Sequence, residues 1–281
     1  MKKIGFSIIC ILLGCVILSN VSSAFDLKNE HRSILIEGTE REYIVQKPPE
    51  SYPGPHPLVI AIHGGGGKAS GFARNKQLSK LPKEKGAVVV YPDGIEKNWG
   101  CLQVPSARGK IPAYTDDVAF ISRLIDIAVD QYNADPGKVL VTGISLGGIL
   151  TFKLSQEIPE KITAAAPIAS AIPVKMAETL SRAKGIPTMI LNGTDDPRIP
   201  YNGGISEAYS QEVLRELKEK GITPGVLSTQ DIVQRYQLLN ECDDTPGTVP
   251  MEDKKKDGCT SKQVIYTNSK GIEVILVETQ G

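Results

Sequence analysis

The chain has 281 residues, 41% of them hydrophobic and 23% charged, which suits one large α/β core and excludes a disordered or fibrous class. Its 32 basic side chains balance 32 acidic ones. A formal net charge of zero offers no field for nucleic acid or for an anionic membrane surface.

In chain order, Met1-Lys2-Lys3, an apolar run over residues 4–18 and small residues up to Ala24 have the three regions of an export signal. Cleavage is expected after Ser22-Ser23-Ala24, which makes Phe25 the first mature residue and the product secreted or periplasmic. The apolar run is too short to favour a membrane span. Leu12-Leu13-Gly14-Cys15 allows a competing lipoprotein reading, but the apolar residues after Cys15 count against it. Losing Lys2 and Lys3 leaves 30 basic against 32 acidic side chains, still no field for a polyanion.

Residues 32–37 and 41–46 alternate polar and apolar side chains around Gly38, which predicts a β-hairpin. Residues 58–62, 87–91, 139–142, 187–191 and 272–277 are short unbroken apolar runs, as expected of strands buried on both faces of a parallel sheet. Val118, Ile121, Ile125, Ala128 and Tyr132 recur at helical spacing, with Thr115 as the expected N-cap and Asp116 and Asp117 in the first turn. Further helices are read over residues 146–156 and 206–220, the second ending at Gly221. Strands alternating with helices predict an α/β fold with a mostly parallel sheet covered on both faces.

Residues 103–114 and 241–262 are polar, dotted with Gly and Pro, and are expected to be mobile loops; Lys254-Lys255-Lys256 in the second reads as solvated. Cys242 and Cys259 flank the polar stretch of that loop, where an exported protein could close a disulfide worth roughly 3 kcal/mol. Cys101 is then a small buried thiol.

Three loops at strand ends carry chemistry. His63-Gly64-Gly65-Gly66-Gly67 follows the strand at 58–62, and its glycines leave N–H groups free to face a developing oxyanion. Gly64, Gly65 or Gly66 would supply one donor and the N–H of Leu146 the other. A phosphate loop is the rival reading, but no Gly-Lys-Ser/Thr follows. His63 itself is expected to orient the loop.

Gly143-Ile144-Ser145-Leu146-Gly147 lies between a buried strand and a helix, the context of a nucleophile elbow. A serine there occupies a sharp, strained turn, so its flanking positions must be small. Asn192-Gly193-Thr194-Asp195-Asp196-Pro197 closes another strand, and Asp195 and Asp196 both qualify to hold an imidazole in its working tautomer.

The glycine loop, Tyr91-Pro92-Asp93-Gly94 with Trp99, Asp116-Asp117-Val118-Ala119-Phe120, the Ser145 segment through Gly148, and Gly193-Thr194-Asp195-Asp196-Pro197 with Pro200-Tyr201 occur in the order found in one family. Together they resemble the secreted polyhydroxybutyrate depolymerase and feruloyl esterase group, over residues 41–281. The resemblance implies an α/β-hydrolase fold, Ser145 as nucleophile, Asp196 as the acid, Cys242 with Cys259 as the family's cysteine pair, and no metal or cofactor. It implies ester substrates: hydroxyalkanoate polymers, hydroxycinnamate-decorated xylan or acetylated sugars. Trp99 and Tyr201 would line an aromatic acyl or sugar pocket, or else belong to core and rim.

The expected chain order of serine, acid and histidine breaks at its last member. His31, His56 and His63 all precede Ser145, whereas the resembled family carries its histidine in a Gly-Gly-His-x-Trp-Pro segment soon after the last strand. Residues 25–281 therefore read as one esterase domain cut before that segment. The competing readings are a non-catalytic binding protein of the same fold, His63 acting as base, and a peptidase on the same scaffold.

Overall fold

Unbroken apolar strands are soluble only when both faces of their sheet are covered, and a computed structural model of the protein has this layering. It describes residues 29–103, 113–178, 185–207, 209–221, 223–253 and 257–281. The expected export signal with Cys15, and most of the expected loop at 103–114, lie outside the described residues.

The strands are β1 (Glu30–Ile36), β2 (Thr39–Gln46), β3 (His56–Ile62), β4 (Val88–Pro92), β5 (Ala134–Ile144), β6 (Ala164–Ile168), β7 (Thr188–Gly193), β8 (Gly247–Pro250), β9 (Thr260–Thr267) and β10 (Glu273–Gln280). They form one sheet in the order β1-β2-β4-β3-β5-β6-β7-β10-β9-β8. From β4 to β10 neighbouring strands are parallel. Antiparallel pairs close both edges. The β1–β2 hairpin turns on Glu37 and Gly38, both at positive φ, as a two-residue turn requires.

The helices are α1 (Ala69–Ala73), α2 (Leu81–Lys85), α3 (Asp117–Tyr132), α4 (Leu146–Glu157), α5 (Val174–Ala177), α6 (Gln211–Glu219) and α7 (Thr229–Leu239). The pleat divides the core in two. Leu58, Ile60 and Ile62 face α3 and α4, where Ile121, Leu124, Leu150 and Leu154 meet them. Val59 and Ala61 point the other way, toward Ala69, Ala73 and Leu81. Each fully buried Leu or Ile contributes about 1.5–3 kcal/mol of transfer free energy. Among the described residues no helix is long and apolar enough to cross a membrane.

Several expectations need correcting. The N-cap of α3 is Asp116, whose side chain accepts from the Ala119 N–H; Thr115 is held elsewhere, its Oγ1 bonded to Gly100 and Asp117. Helix α6 starts after Ser210 rather than at Ser206, because the Ser210 hydroxyl caps the Val213 N–H. The region 241–262 holds β8 and the start of β9, with residues 254–256 outside the described residues.

Cys242 and Cys259 are free thiols, not a disulfide. Cys242 lies at the Thr267 end of β9, where the Asp243 N–H bonds the Thr267 carbonyl at 2.9 Å, and Cys259 precedes Thr260 at the other end. An eight-residue strand separates them by more than about 20 Å, whereas a disulfide needs Cα atoms within about 7 Å.

Candidate active site

Parallel strands bring their carboxyl ends to one edge, and the three chemically marked loops follow β3, β5 and β7 at that edge. Gly143 on β5 pairs with Ile62 on one side and Pro167 on the other. Ser145 thus emerges between the glycine loop after β3 and the ends of β6 and β7.

Ser145 has φ 55° and ψ −122°, a left-handed backbone that a non-glycine residue adopts only under constraint. The constraint is visible. The Ser145 N–H is bonded to the Ile168 carbonyl at 2.9 Å, and its own carbonyl accepts from Gly148 and Ile149 at 2.8 and 3.0 Å. A Cβ on Gly143 would lie 2.3 Å from the Gly147 carbonyl oxygen, and one on Gly147 would lie 2.4 Å from that of Ile62. The glycines are required by backbone crossing backbone. Ser145 itself is partly exposed at the start of α4.

The glycine loop lies against the elbow. A Cβ on Gly64 would stand 3.1 Å from the Ile144 carbonyl, and one on Gly65 2.6 Å from Leu146 Cδ1. The N–H of Leu146, first residue of α4, has no acceptor within its own helix. Of the three glycines considered as oxyanion donors, Gly66 drops out: its N–H is given to the Lys97 carbonyl at 2.8 Å. The Gly64 carbonyl accepts from the Gly67 N–H at 2.9 Å and lies 2.8 Å from His63 Nδ1. In a planar trans peptide the N–H points opposite the carbonyl, so pinning the Gly64 oxygen sets the direction of the Gly65 N–H.

His63 is 1% exposed. Its Nε2 receives the Gly94 N–H at 3.0 Å, with Asp93 Oδ1 at 3.3 Å, and its Nδ1 lies 2.8 Å from the Gly64 carbonyl. Both ring nitrogens are occupied, leaving none for the Ser145 hydroxyl. Trp99 is buried as well, its ring centroid 4.7 Å from that of His63 at a tilt of 34°, and it donates Nε1–H to the His63 carbonyl at 2.8 Å. It braces the loop from behind, and its burial agrees with the core reading rather than with substrate contact.

Asp196 is partly exposed, and its Oδ1 accepts from the N–H groups of Arg198 and Ile199 at 2.8 and 3.0 Å, leaving Oδ2 for another partner. Asp195 is exposed. The loop is tied to the last strand by the Thr194 N–H bonding the Thr279 carbonyl at 2.8 Å. Only β6 lies between β5 and β7, two strand spacings or about 10 Å.

Tyr201 stands near this loop with its hydroxyl on Glu278 and Gln230. Burial, then the bond to Glu278, pushes its phenol up to about 12. Bonds from Lys262 and Tyr201 hold the Glu278 carboxyl below its ordinary value against partial burial. Asn192 was not singled out from the sequence. Its buried amide accepts from the Ser170 N–H and donates to the Ser170 carbonyl, both at 3.0 Å, locking the ends of β6 and β7. A buried Asn just before a Gly-Thr-Asp-Asp turn was the available signal.

A cavity of about 280 Å³, walled by Leu102, Ile149, Lys153, Met176, Leu217 and Val226, runs beside α4 from one turn beyond Ser145. Among the described residues no group of three or more His, Cys, Asp or Glu is placed to hold a metal ion.

No protein-family model matches the chain. It is 28% identical over 181 residues to a putative esterase, NocK, of Nocardia uniformis subsp. tsuyamanensis, covering 63% of this chain and 52% of that protein. It is 29% identical over 155 residues to feruloyl esterase B of Piromyces equi, covering 54% of this chain and 28% of that protein. The chain thus matches about half or less of the length of these curated relatives. In structure it is similar to an acetyl xylan esterase from Aspergillus awamori, with TM-score 0.59, 15% identity and coverage of 89% and 92% of the two chains. The curated relatives are esterases, and the parallel sheet with its strand-end serine elbow has the α/β-hydrolase fold that the acetyl xylan esterase structure shares.

Proposed function

We propose that the protein hydrolyses carboxylic esters through an acyl-enzyme on Ser145. The observation that carries this reading is the left-handed Ser145, raised at the strand-to-helix turn where Gly143 and Gly147 admit no side chain. The hydroxyl oxygen attacks the ester carbonyl carbon while its proton passes to an imidazole. The tetrahedral oxyanion is met by the N–H groups of Leu146 and of Gly65, with Gly64 as the neighbouring donor. The imidazole returns its proton to the leaving alcohol, and water then releases the acid by the same steps reversed.

The imidazole, which Asp196 would orient, is none of His31, His56 and His63. His31 sits on β1, four strands and about 19 Å from β5. His56 begins β3 at the far end from Ile62, about 20 Å away, and His63 has both nitrogens engaged. Strand β10 runs parallel to β7, and its Thr279 carbonyl bonds the Thr194 N–H of the Asp196 loop.

The substrate class is an acyl ester on a carbohydrate, feruloyl or acetyl, as the names of the relatives suggest, with the cavity beside α4 receiving part of it. The protein acts after export, its signal removed near Ala24. The test is hydrolysis of a short nitrophenyl ester and of methyl ferulate by the full-length protein and by Ser145→Ala. A loss on the order of 10⁶ in turnover is expected; an unchanged rate overturns the reading.

A further inference from the structure

The segment from Gly94 to Cys101 grips the glycine loop at three points. The Gly94 N–H reaches His63 Nε2 at 3.0 Å, the Lys97 carbonyl takes the Gly66 N–H at 2.8 Å, and the Trp99 indole reaches the His63 carbonyl at 2.8 Å. What fixes the segment itself is Asp117, on the first turn of α3. Its Oδ2 accepts from the Cys101 N–H at 3.0 Å and from the Thr115 hydroxyl at 3.1 Å, and that hydroxyl accepts from the Gly100 N–H at 3.1 Å. A Cβ on Gly100 would lie 2.2 Å from the Ala113 carbonyl oxygen, so only glycine fits where the segment passes that backbone.

Asp117 is fully buried at 0% exposed, and its other oxygen meets Arg41 Nη2 at 2.7 Å. Arg41, 2% exposed, lies 4.1 Å over the Phe120 ring and leaves its Nε without a partner. A buried ion pair is poor at stabilising a fold compared with apolar side chains of the same volume. One with an unmatched donor is poorer still. Its hydrogen bonds run toward the loop behind the oxyanion donors, which is where its effect goes.

We infer that the buried Arg41–Asp117 pair is a positioning device that holds the Gly94–Cys101 segment, and through Trp99 and His63 the oxyanion donor of the glycine loop, in register with Ser145. The inference rests on Ser145 being the nucleophile. Neither side chain touches substrate; both act through the loop. Misplacing a donor by about 1 Å costs up to about a hundredfold in rate while leaving ground-state binding nearly untouched.

The experiment uses the full-length protein and three variants. Arg41→Met with Asp117→Leu replaces the pair by apolar side chains and removes the anchor for Cys101. Asp117→Asn keeps an oxygen for Arg41 but turns an amide N–H₂ toward the Cys101 N–H. Thr115→Val keeps both buried charges and removes the hydroxyl link. Circular dichroism melting confirms which variants fold, and Thr115→Val decides if the others do not. The expected result is kcat lowered about tenfold or more in the double variant and severalfold in Thr115→Val, with KM within about twofold. A boronic acid that forms a tetrahedral anion on Ser145 should weaken in step with kcat. Folded variants with unchanged kcat and boronate affinity overturn the inference. Failure of the esterase reading is told apart by Ser145→Ala, which in that case leaves the unmodified protein's hydrolysis unaltered.

Discussion

Gly147→Ala tests the elbow at the level of bare sterics. The added Cβ would meet the carbonyl oxygens of Ile62 and His63 at 2.4 and 2.5 Å and the Ile62 carbonyl carbon at 2.9 Å, all of them backbone atoms. No rotamer relieves the clash. Either the end of β3 or the start of α4 must move by more than half an ångström, within a sheet whose neighbours are fully buried. Overpacking costs about 1–3 kcal/mol and occasionally more, and clashes with two backbone carbonyl groups put this case at the upper end, about 3 kcal/mol. With a urea m value of about 1–3 kcal/mol/M, the unfolding midpoint should fall by about 1 M or more. Gly71→Ala is the control. It sits in α1 at ordinary φ with nothing within 4 Å, so it should gain about 0.5–1 kcal/mol from the unfolded state. The displaced His63 carbonyl also holds the Trp99 indole, so ester hydrolysis should fall beyond what unfolding explains. Gly147→Ala with an unchanged midpoint and rate would refute the reasoning.

Three further outcomes are expected. Asp196→Asn keeps an oxygen for the Arg198 and Ile199 N–H groups, so it should fold normally yet lose about 10⁴ in kcat, measured with a nitrophenyl ester; a loss under tenfold would assign the acid elsewhere. Intact-mass analysis after alkylation of the native protein should find Cys242 and Cys259 as thiols, with buried Cys101 reacting only on unfolding; a mass two units low would contradict the strand geometry. The Glu278 carboxyl, held below 4.5 first by Lys262 and then by Tyr201 against partial burial, adds stability that is fully present above its unfolded value and lost as pH falls through the folded one. Glu278→Gln should therefore be the less stable protein at pH 7 and match the parent well below pH 4; an equal gap at both pH values would remove this role.

The central strands were legible because burial on both faces writes itself as an unbroken apolar run, as in residues 58–62 and 87–91. Strand β6 was not, since Ala164-Ala165-Ala166-Pro167 carries little strand preference and is recruited by its neighbours β5 and β7. The edge pair β8–β9 was hidden by polarity: β8 is exposed throughout, and Gly and Pro nearby mimic a loop. At the site, G-x-S-x-G and the Asp-Pro turn mark local backbone shape, and both lie where strands β5 and β7 end, at one edge of the sheet. What the sequence could not show were distances between segments. The Cys242–Cys259 pairing fails by the length of β9, Gly66 is removed by a carbonyl thirty-one residues later in the chain, and Trp99 turns inward to serve a histidine. The Arg41–Asp117 link joins residues 76 apart and leaves no local pattern.

The most direct test of the account is where an ester-mimicking phosphonate attaches when the full-length protein is treated with a nitrophenyl alkylphosphonate and digested for mass spectrometry. One adduct per chain on Ser145, formed in step with the loss of hydrolysis and absent from Ser145→Ala, is the predicted result. Loss of hydrolysis with the adduct on another residue, or continuing hydrolysis with Ser145 fully modified, would contradict it.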